Sequence, residues 1–402
     1  MKKTLTVILS IVILLALGGL LYFFRTYKSV SVPPTATPDA SNSLAQFSLP
    51  EGFHMSVYAE NVPGARVIAF DPKGVMLVSE SSKGAIVALP DTDGDGVADA
   101  VLPVLSGLNN PHGMAFKCEG DLEMQSCKLY VAEKNALDVF AYDPATRQAT
   151  DKQKLLDLPD GGGHTTRTLL FKPAPDDSTL LISVGSSCNV CNETDGNRAK
   201  ILSYDVKTGK SEVYASGLRN SVFLDVHPVT GAIWATDMGR DGLGDDIPPD
   251  EINVITKGAN YGWPICFGKN VHDADYDKNV YIRNPCMAPL ETPSYIDIPA
   301  HSAPLGFAFV PEEGWPQAYW YDLILAYHGS WNRSTATGYK VVRMKLDVQG
   351  KPTGEFEDFI TGWLRSDGTK IGRPVDVKAL PGGVMYVSDD GAGRIYRVTA
   401  NQ

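Results

Sequence analysis

From Phe47 onward one pattern of positions recurs: an apolar run, a Pro/Gly/Asp turn, a second apolar run holding small residues, and a third run ending in a polar turn. Short apolar runs separated by such turns predict β-strands joined as hairpins rather than helices. Six copies begin at Val67, Gly113, Thr168, Ser221, Leu305 and Pro374. Each is followed by a strand-like stretch: AIVALPD, LDVFAYD, KILSYD, EINVI, KVVRMKLD or RIYRVTA. A hairpin-rich unit repeated six times with variable loops predicts an all-β, six-bladed β-propeller. A sandwich or an up-and-down barrel would not repeat one motif with long insertions between copies.

Ahead of these repeats the pattern changes. Positions 4–24 are almost unbrokenly apolar, between Lys2, Lys3 and Arg25, Lys28. As a helix this stretch is long enough to cross a hydrocarbon core of about 30 Å. Neither a small-x-small cleavage site nor a lipobox cysteine follows, which favours an uncleaved signal anchor over 1–26. The flanking charges nearly balance, so they set no orientation. The following VSVPPTATPDASNS has nothing to bury, and 27–46 reads as a flexible Pro/Ser/Thr-rich tether leading into a folded domain over 47–402.

Composition narrows the function. A chain of 402 residues with 43% hydrophobic content can bury a large core, and a net charge of -11 disfavours a nucleic-acid partner. The six cysteines fall into local pairs, Cys118 with Cys127, Cys188 with Cys191 and Cys266 with Cys286. Such pairs suit disulfides in an oxidising compartment, placing the domain outside the cytoplasm, in a periplasm or at the cell surface. The Cys188-Asn-Val-Cys191 spacing also occurs in zinc and redox sites. No second pair or nearby histidines complete a zinc site, and Asn192 stands where haem attachment needs His, so a structural disulfide is the favoured reading.

Four loop regions break the blade pattern and hold the unusual polar residues: LNNPHG from Leu108, PDGGGHTTRT from Pro159, GLRNSV from Gly217 with DMGRDGLGDDIPPDEIN from Asp237, and HGSWNRSTATGYK from His328. A propeller gathers one end of every blade around its channel, so loops far apart in sequence can converge. The combination of GGGHTTRT, GLRN, DEINVITKGANYGWP, GSSCNVC and HGSWNR resembles the PQQ-dependent soluble aldose sugar dehydrogenases, and more closely the sorbosone dehydrogenase family. The resemblance runs from about Leu49 to Thr399.

That resemblance implies roles. His164 is implied as the general base that takes the substrate hydroxyl proton, a task suited to an imidazole whose ordinary pKa lies near neutrality. The soluble enzymes carry an acidic residue just before this His; here it is Gly163, so the imidazole must be oriented from elsewhere. Arg219 and Asn220 match positions that contact the quinone oxygens, where a guanidinium would stabilise developing negative charge. Gly239 and Arg240 match the two positions whose backbone carbonyls ligate an active-site Ca2+. Arg373 matches one carboxylate-binding arginine and Val375 replaces a second, so Arg333 or Lys340 is expected to compensate. Trp331 is a candidate to lie over the planar cofactor. His112 is a candidate substrate contact, with a structural role as the alternative.

Beyond the resemblance, Asp91, Asp93, Asp95 and Asp99 alternate around Gly96 like the start of a calcium loop, but Leu102 stands where an EF-hand has its bidentate Glu. Asp245, Asp246 and Asp250 could bind metal or cap a loop. Taken together these features predict a membrane-anchored quinoprotein that oxidises a sugar, an aldose or a related polyol or aldehyde, using PQQ and Ca2+. No c-type haem motif is present, so a separate acceptor, a quinone or a cytochrome, would take the electrons. A calcium-dependent lactonase-type hydrolase and a non-catalytic carbohydrate- or protein-binding propeller are the alternatives.

Overall fold

The computed structural model describes residues 44–120 and 126–401. The expected anchor (1–26) and the tether through residue 43 lie outside the described residues. Among the described residues no helix is long and apolar enough to cross a membrane.

Six four-stranded antiparallel sheets form the blades, and each expected repeat falls on one of them. The first contains Ala65–Phe70, Met76–Glu80, Ala85–Leu89 and Leu102–Leu105; the second contains Met114–Glu119, Ser126–Ala132, Ala136–Asp143 and Gln148–Asp157. The third is built from Leu169–Phe171, Thr179–Val184, Lys200–Asp205 and Ser211–Ser216; the fourth from Ser221–Val226, Ile233–Asp237, Asp250–Ile255 and Ile296–Ile298. Pro304–Phe309, Leu323–Tyr327, Lys340–Leu346 and Pro352–Ile360 make the fifth. Pro374–Leu380, Val384–Asp389 and Arg394–Ala400 make the sixth, whose outermost strand is Phe53–Ala59 from the start of the domain.

That last pairing closes the ring, with Phe53 opposite Ala400 and Val57 opposite Tyr396. The first strand of each blade touches the first strands of both neighbouring blades, so six inner strands surround the axis. Inner strands are apolar nearly throughout because both their faces are covered; Pro304–Phe309 is buried at every position. The core lies between blades. Ile324, Ala326 and Val341 of the fifth pack on Val377, Met385 and Val387 of the sixth, and Leu180, Ile182 and Leu202 of the third pack on Tyr130 and Val139 of the second.

Small polar residues in the second strands have a definite task. Ser79, Ser183 and Ser388 accept hydrogen bonds from the inner-strand N–H groups of Val67, Thr168 and Asp376 at 3.1, 2.9 and 2.9 Å. In the first and sixth blades these contacts fall where the inner strand shifts register and leaves a donor outside the ladder.

All three expected disulfides form: Cys118–Cys127, Cys188–Cys191 and Cys266–Cys286. Cys118 and Cys127 sit directly opposite one another on adjacent strands of the second blade. Cys266–Cys286 staples a long insertion of the fourth blade that also carries the small hairpin Cys266–Phe267 and Val271–His272.

Candidate functional site

In a four-stranded meander the start of the first strand and the end of the second lie at the same end of the sheet. The residues expected to act precede an inner strand or follow a second strand, so one face of the ring collects them. A depression of about 740 Å3 opens there, lined by Arg66, Lys83, Asn110, Thr166, Arg373 and Asp390 among others.

His164 lies two residues before the lining residue Thr166, on the loop entering the third blade. Its Nδ1 sits 3.0 Å from the Ser186 carbonyl oxygen and 2.9 Å from Ser186 Oγ. The Ser186 hydroxyl spends its own proton on the Cys188 carbonyl at 2.7 Å, so both Ser186 oxygens act as acceptors toward His164. This places the proton on Nδ1 and leaves Nε2 with its lone pair and no partner among the described residues. Ser186 thus supplies the orientation that Gly163 cannot. Burial, reinforced by the Arg219 guanidinium, pushes the imidazole pKa down to about 4, so the ring is neutral at physiological pH.

Gly185 joins this base to the fourth blade. A Cβ there would lie 2.6 Å from Asn220 Oδ1 and 2.6 Å from His164 Cβ, so only glycine allows the approach. The Asp237 carboxylate holds the Arg219-Asn220 turn, accepting from both backbone N–H groups at 3.0 and 2.6 Å. Asp237 is wholly enclosed, and burial lifts its pKa to about 7. The Arg219 guanidinium donates to the Asn189 carbonyl at 2.8 Å, to Asn189 Oδ1 at 2.9 Å and to the Met238 carbonyl at 3.2 Å. Asn220 Oδ1 is buried and has no hydrogen-bond partner.

Gly239 and Arg240 follow directly. Gly239 N–H donates to Asp250 Oδ1 at 2.8 Å, and the other Asp250 oxygen accepts from Ala303 N at 3.0 Å. Asp250 is therefore a buried brace between two loops, its pKa raised to about 6 by burial. The Arg240 side chain is clamped by Asp273, with Nη2 to Oδ1 at 2.8 Å and Nε to Oδ2 at 2.5 Å.

On the far side of the depression Arg373 is fixed through its backbone N–H, which donates to Asp389 at 2.7 Å. Its Nη2 donates to His328 Nδ1 at 2.8 Å, His328 Nε2 lies 3.1 Å from Asp390, and Asp390 accepts from Arg66 at 2.8 Å. Arg66, Asp390, His328 and Arg373 thus form one continuous array. Burial holds the His328 pKa down at about 4, the neutral state that accepting from Arg373 requires. Arg373 Nε is buried and unpartnered.

Several expected site residues stand elsewhere. Arg333 is not available to a ligand carboxylate: its guanidinium is engaged by the Asp245 carbonyl and, at 2.9 Å, by Asp246 Oδ1. Asp245 and Asp246 therefore tie two loops together, Asp245 also receiving Ser334 N at 3.1 Å. Lys340 is paired at 2.5 Å with Asp358 of the neighbouring outer strand. The cations that line the depression with Arg373 are Lys83 and Arg66 of the first blade, Arg66 being itself paired with Asp390 at 2.8 Å. Trp331 is 46% exposed, and no aromatic contact fixes it. His112 is only 1% exposed, with Nδ1 3.3 Å from Thr168 Oγ1 and its ring edge-on to Phe223, so it forms part of the wall rather than a surface open to substrate. At the acidic turn, Asp91, Asp93 and Asp95 bring one oxygen each within 4.8 Å of the others, whereas Asp99 has turned to Thr92 at 2.7 Å.

Sequence reasoning missed Arg66, Lys83, Ser186, Asn189, Asp241, His328 and Asp390 as site components. Ser186 and Asn189 stand inside the quoted GSSCNVC motif, Asp241 inside DMGRDGLGDDIPPDEIN, and His328 opens HGSWNR, so for these four a signal was at hand.

Comparison with known proteins agrees with this architecture. An uncharacterized protein of Borreliella burgdorferi is 31% identical over 383 residues, covering 94% of this chain and 97% of its own length. A pyrroloquinoline quinone-dependent sugar dehydrogenase of Hypocrea jecorina is 27% identical over 251 residues, covering 54% of this chain and 56% of its own length. The calcium structure of a Trichoderma reesei carbohydrate-active enzyme of family AA12 superposes with a TM-score of 0.74 at 20% identity, covering 92% of this chain and 98% of that one, and so shares the fold. The TrAA12-like family model matches residues 47–401, essentially the whole propeller, and the chain belongs to that family.

Proposed function

We propose that this chain is a PQQ- and Ca2+-dependent sugar dehydrogenase acting on an aldose or a related polyol or aldehyde, held outside the cytoplasm by its N-terminal apolar segment. The observation that carries this reading is the free Nε2 of His164, fixed by Ser186 beside Arg219 and Asn220, on the loop that also supplies Thr166 to a depression lined by Arg66, Lys83 and Arg373. Support for the cofactor comes from the donor set. PQQ bears three carboxylates, and Arg66, Lys83 and Arg373 line one depression, while Asn220 Oδ1 and Arg373 Nε are buried polar atoms that lack a partner. The Hypocrea jecorina relative carries PQQ dependence in its name, and the Trichoderma reesei fold relative has a calcium structure.

When bound, PQQ would supply a hydride acceptor for the oxidised C–H and Ca2+ would supply a Lewis acid. The protein does the rest. Nε2 of His164 takes the proton from the substrate hydroxyl, and the Nδ1–H bond to Ser186 keeps the ring aimed as that proton arrives. Arg219 holds positive charge where negative charge develops, and its bonds to Asn189 and Met238 fix the guanidinium before the reaction begins. The backbone carbonyls of Gly239 and Arg240 would ligate Ca2+, and Arg66, Lys83 and Arg373 would neutralise the ligand carboxylates. A separate acceptor, a quinone or a cytochrome, would reoxidise the cofactor.

The test is titration of purified protein with PQQ in the presence of Ca2+, followed by dye reduction with a panel of aldoses. Saturable binding with sugar-dependent dye reduction supports the proposal. Absence of PQQ binding at micromolar concentrations refutes it.

A further inference from the structure

The segment 186–193 touches His164, Arg219 and the loop that follows Asp237. Ser186 orients His164, and the Ser187 carbonyl accepts from Gly163 N at 2.8 Å, fixing the loop that carries His164. Asn189 accepts from Arg219 through both its backbone carbonyl and Oδ1. The same amide side chain closes a reciprocal pair with Asp241, donating to its carbonyl at 2.9 Å and accepting from its N–H at 2.8 Å. Asp241 directly follows Gly239 and Arg240. The general base, the guanidinium and the calcium loop are therefore joined through a few consecutive residues.

Asn189 is nonetheless solvent-exposed, so packing does not hold it. Its restraints are the hydrogen bonds to Arg219 and Asp241 and the ring closed by Cys188–Cys191, which encloses just Asn189 and Val190. This ring is further tied down by Glu193, which accepts from Ser187 N at 2.6 Å and from Ser187 Oγ at 2.8 Å. Cross-link stabilisation through the unfolded chain grows with loop length. At a separation of 3, against 9 and 20 for the other two bridges, this disulfide contributes least in that way. Its effect is local order at the mouth.

We infer that Asn189 is a positioning residue for Arg219 and for the calcium loop, and that the Cys188–Cys191 disulfide is the device that holds Asn189 and Ser186 in register. The inference rests on the dehydrogenase reading above, and it is tested separately from it. In the PQQ- and Ca2+-loaded enzyme, Asn189→Ala should lower kcat about 10- to 100-fold, since small misplacements of catalytic groups cost that much. KM for the sugar should stay within about twofold, because the lost interaction acts on the transition state. Asn189→Asp keeps both acceptors toward Arg219 but turns the donation to the Asp241 carbonyl into a repulsion, so it should recover only part of the loss. In a double-mutant cycle with Arg219→Lys the two losses should be strongly non-additive; a general structural defect would add.

The C188S/C191S variant should reproduce the Asn189→Ala phenotype and weaken Ca2+ binding measured by calorimetry. In the cofactor-free protein, 15N shifts should show His164 as the single Nδ1–H tautomer, and C188S/C191S should convert it to a mixture. Unchanged kcat in both variants, additive losses in the cycle, or a retained single tautomer in C188S/C191S would overturn the inference. A wild-type protein that does not bind PQQ would refute the cofactor reading, and the tautomer measurement would still decide this one.

Discussion

His164 shows how much a single environment determines. The Gly-rich loop delivers the imidazole without a neighbouring carboxylate, and two oxygens of one serine take over the orienting role. Its folded pKa of about 4 lies below the ordinary histidine value, so the base form is complete at neutral pH and disappears as pH falls through about 4. We expect kcat/KM to show an acid limb there that is absent from the residual activity of a His164→Ala variant. That variant should keep PQQ affinity and lose roughly two to four orders of magnitude in kcat. The same shift bears on stability. An unfolded imidazole takes its proton near pH 6.5, before the folded one, so His164 and the equally depressed His328 make the native state lose stability as pH falls from 6.5 toward 4. The buried carboxyls Asp237 and Asp250, whose pKa values are raised, act in the opposite sense, so the sign is checked by comparing wild type with His164→Ala: the Tm of wild type relative to the variant should fall between pH 7 and pH 4. None of this is visible in the string GGGHTTRT, because the depression comes from burial and from Arg219, which is 55 positions away.

At the scale of the strand and its loops, an acidic residue at the end of a second strand organises the cationic loop entering the inner strand beside it. Asp237 does this for Arg219 and Asn220, and Asp389 does it for Arg373. Asp389 also accepts from Trp363 Nε1 at 2.8 Å and from the N–H groups of Gly391 and Ala392 at 2.9 and 2.8 Å. Removing it strands several buried donors at once, so Asp389→Ala should destabilise the domain by about 3–5 kcal/mol and weaken PQQ binding, as chemical denaturation and ligand titration would show. Ser388→Ala removes the acceptor of the Asp376 N–H and the donor to the Arg66 carbonyl, and should cost about 1–3 kcal/mol, less than Asp389→Ala. The first three strands of each blade were legible because their apolar runs are buried and bounded by turn residues. The outermost strands were not: Gln148–Asp157 is exposed at most positions and has no clean alternation, so only hydrogen bonding to its neighbour makes it a strand.

For the molecule as a whole, the pairing of Phe53–Ala59 with Arg394–Ala400 turns six sheets into a ring. Deleting residues 47–59 should leave the sixth blade with an open edge and give an aggregating or non-cooperatively melting protein, measured by calorimetry and light scattering. Ligand linkage supplies a gentler probe. Saturating PQQ with Ca2+ at a hundred times Kd should stabilise the native state by about 2.7 kcal/mol, and chelation should remove that increment from Tm. By itself the sequence determined the number of blades, the three disulfide pairs and the loops that carry the chemistry. Each of these is written in local runs, turn residues and short spacings. It could not supply the partners in the cofactor wall. Arg66 meets Asp390 across 324 positions and Arg373 meets His328 across 45, while the cations first sought at Arg333 and Lys340 pair with Asp246 and Asp358, 87 and 18 positions away. Those pairings depend on which blades stand beside each other once the ring has closed, and only the tertiary structure decides that.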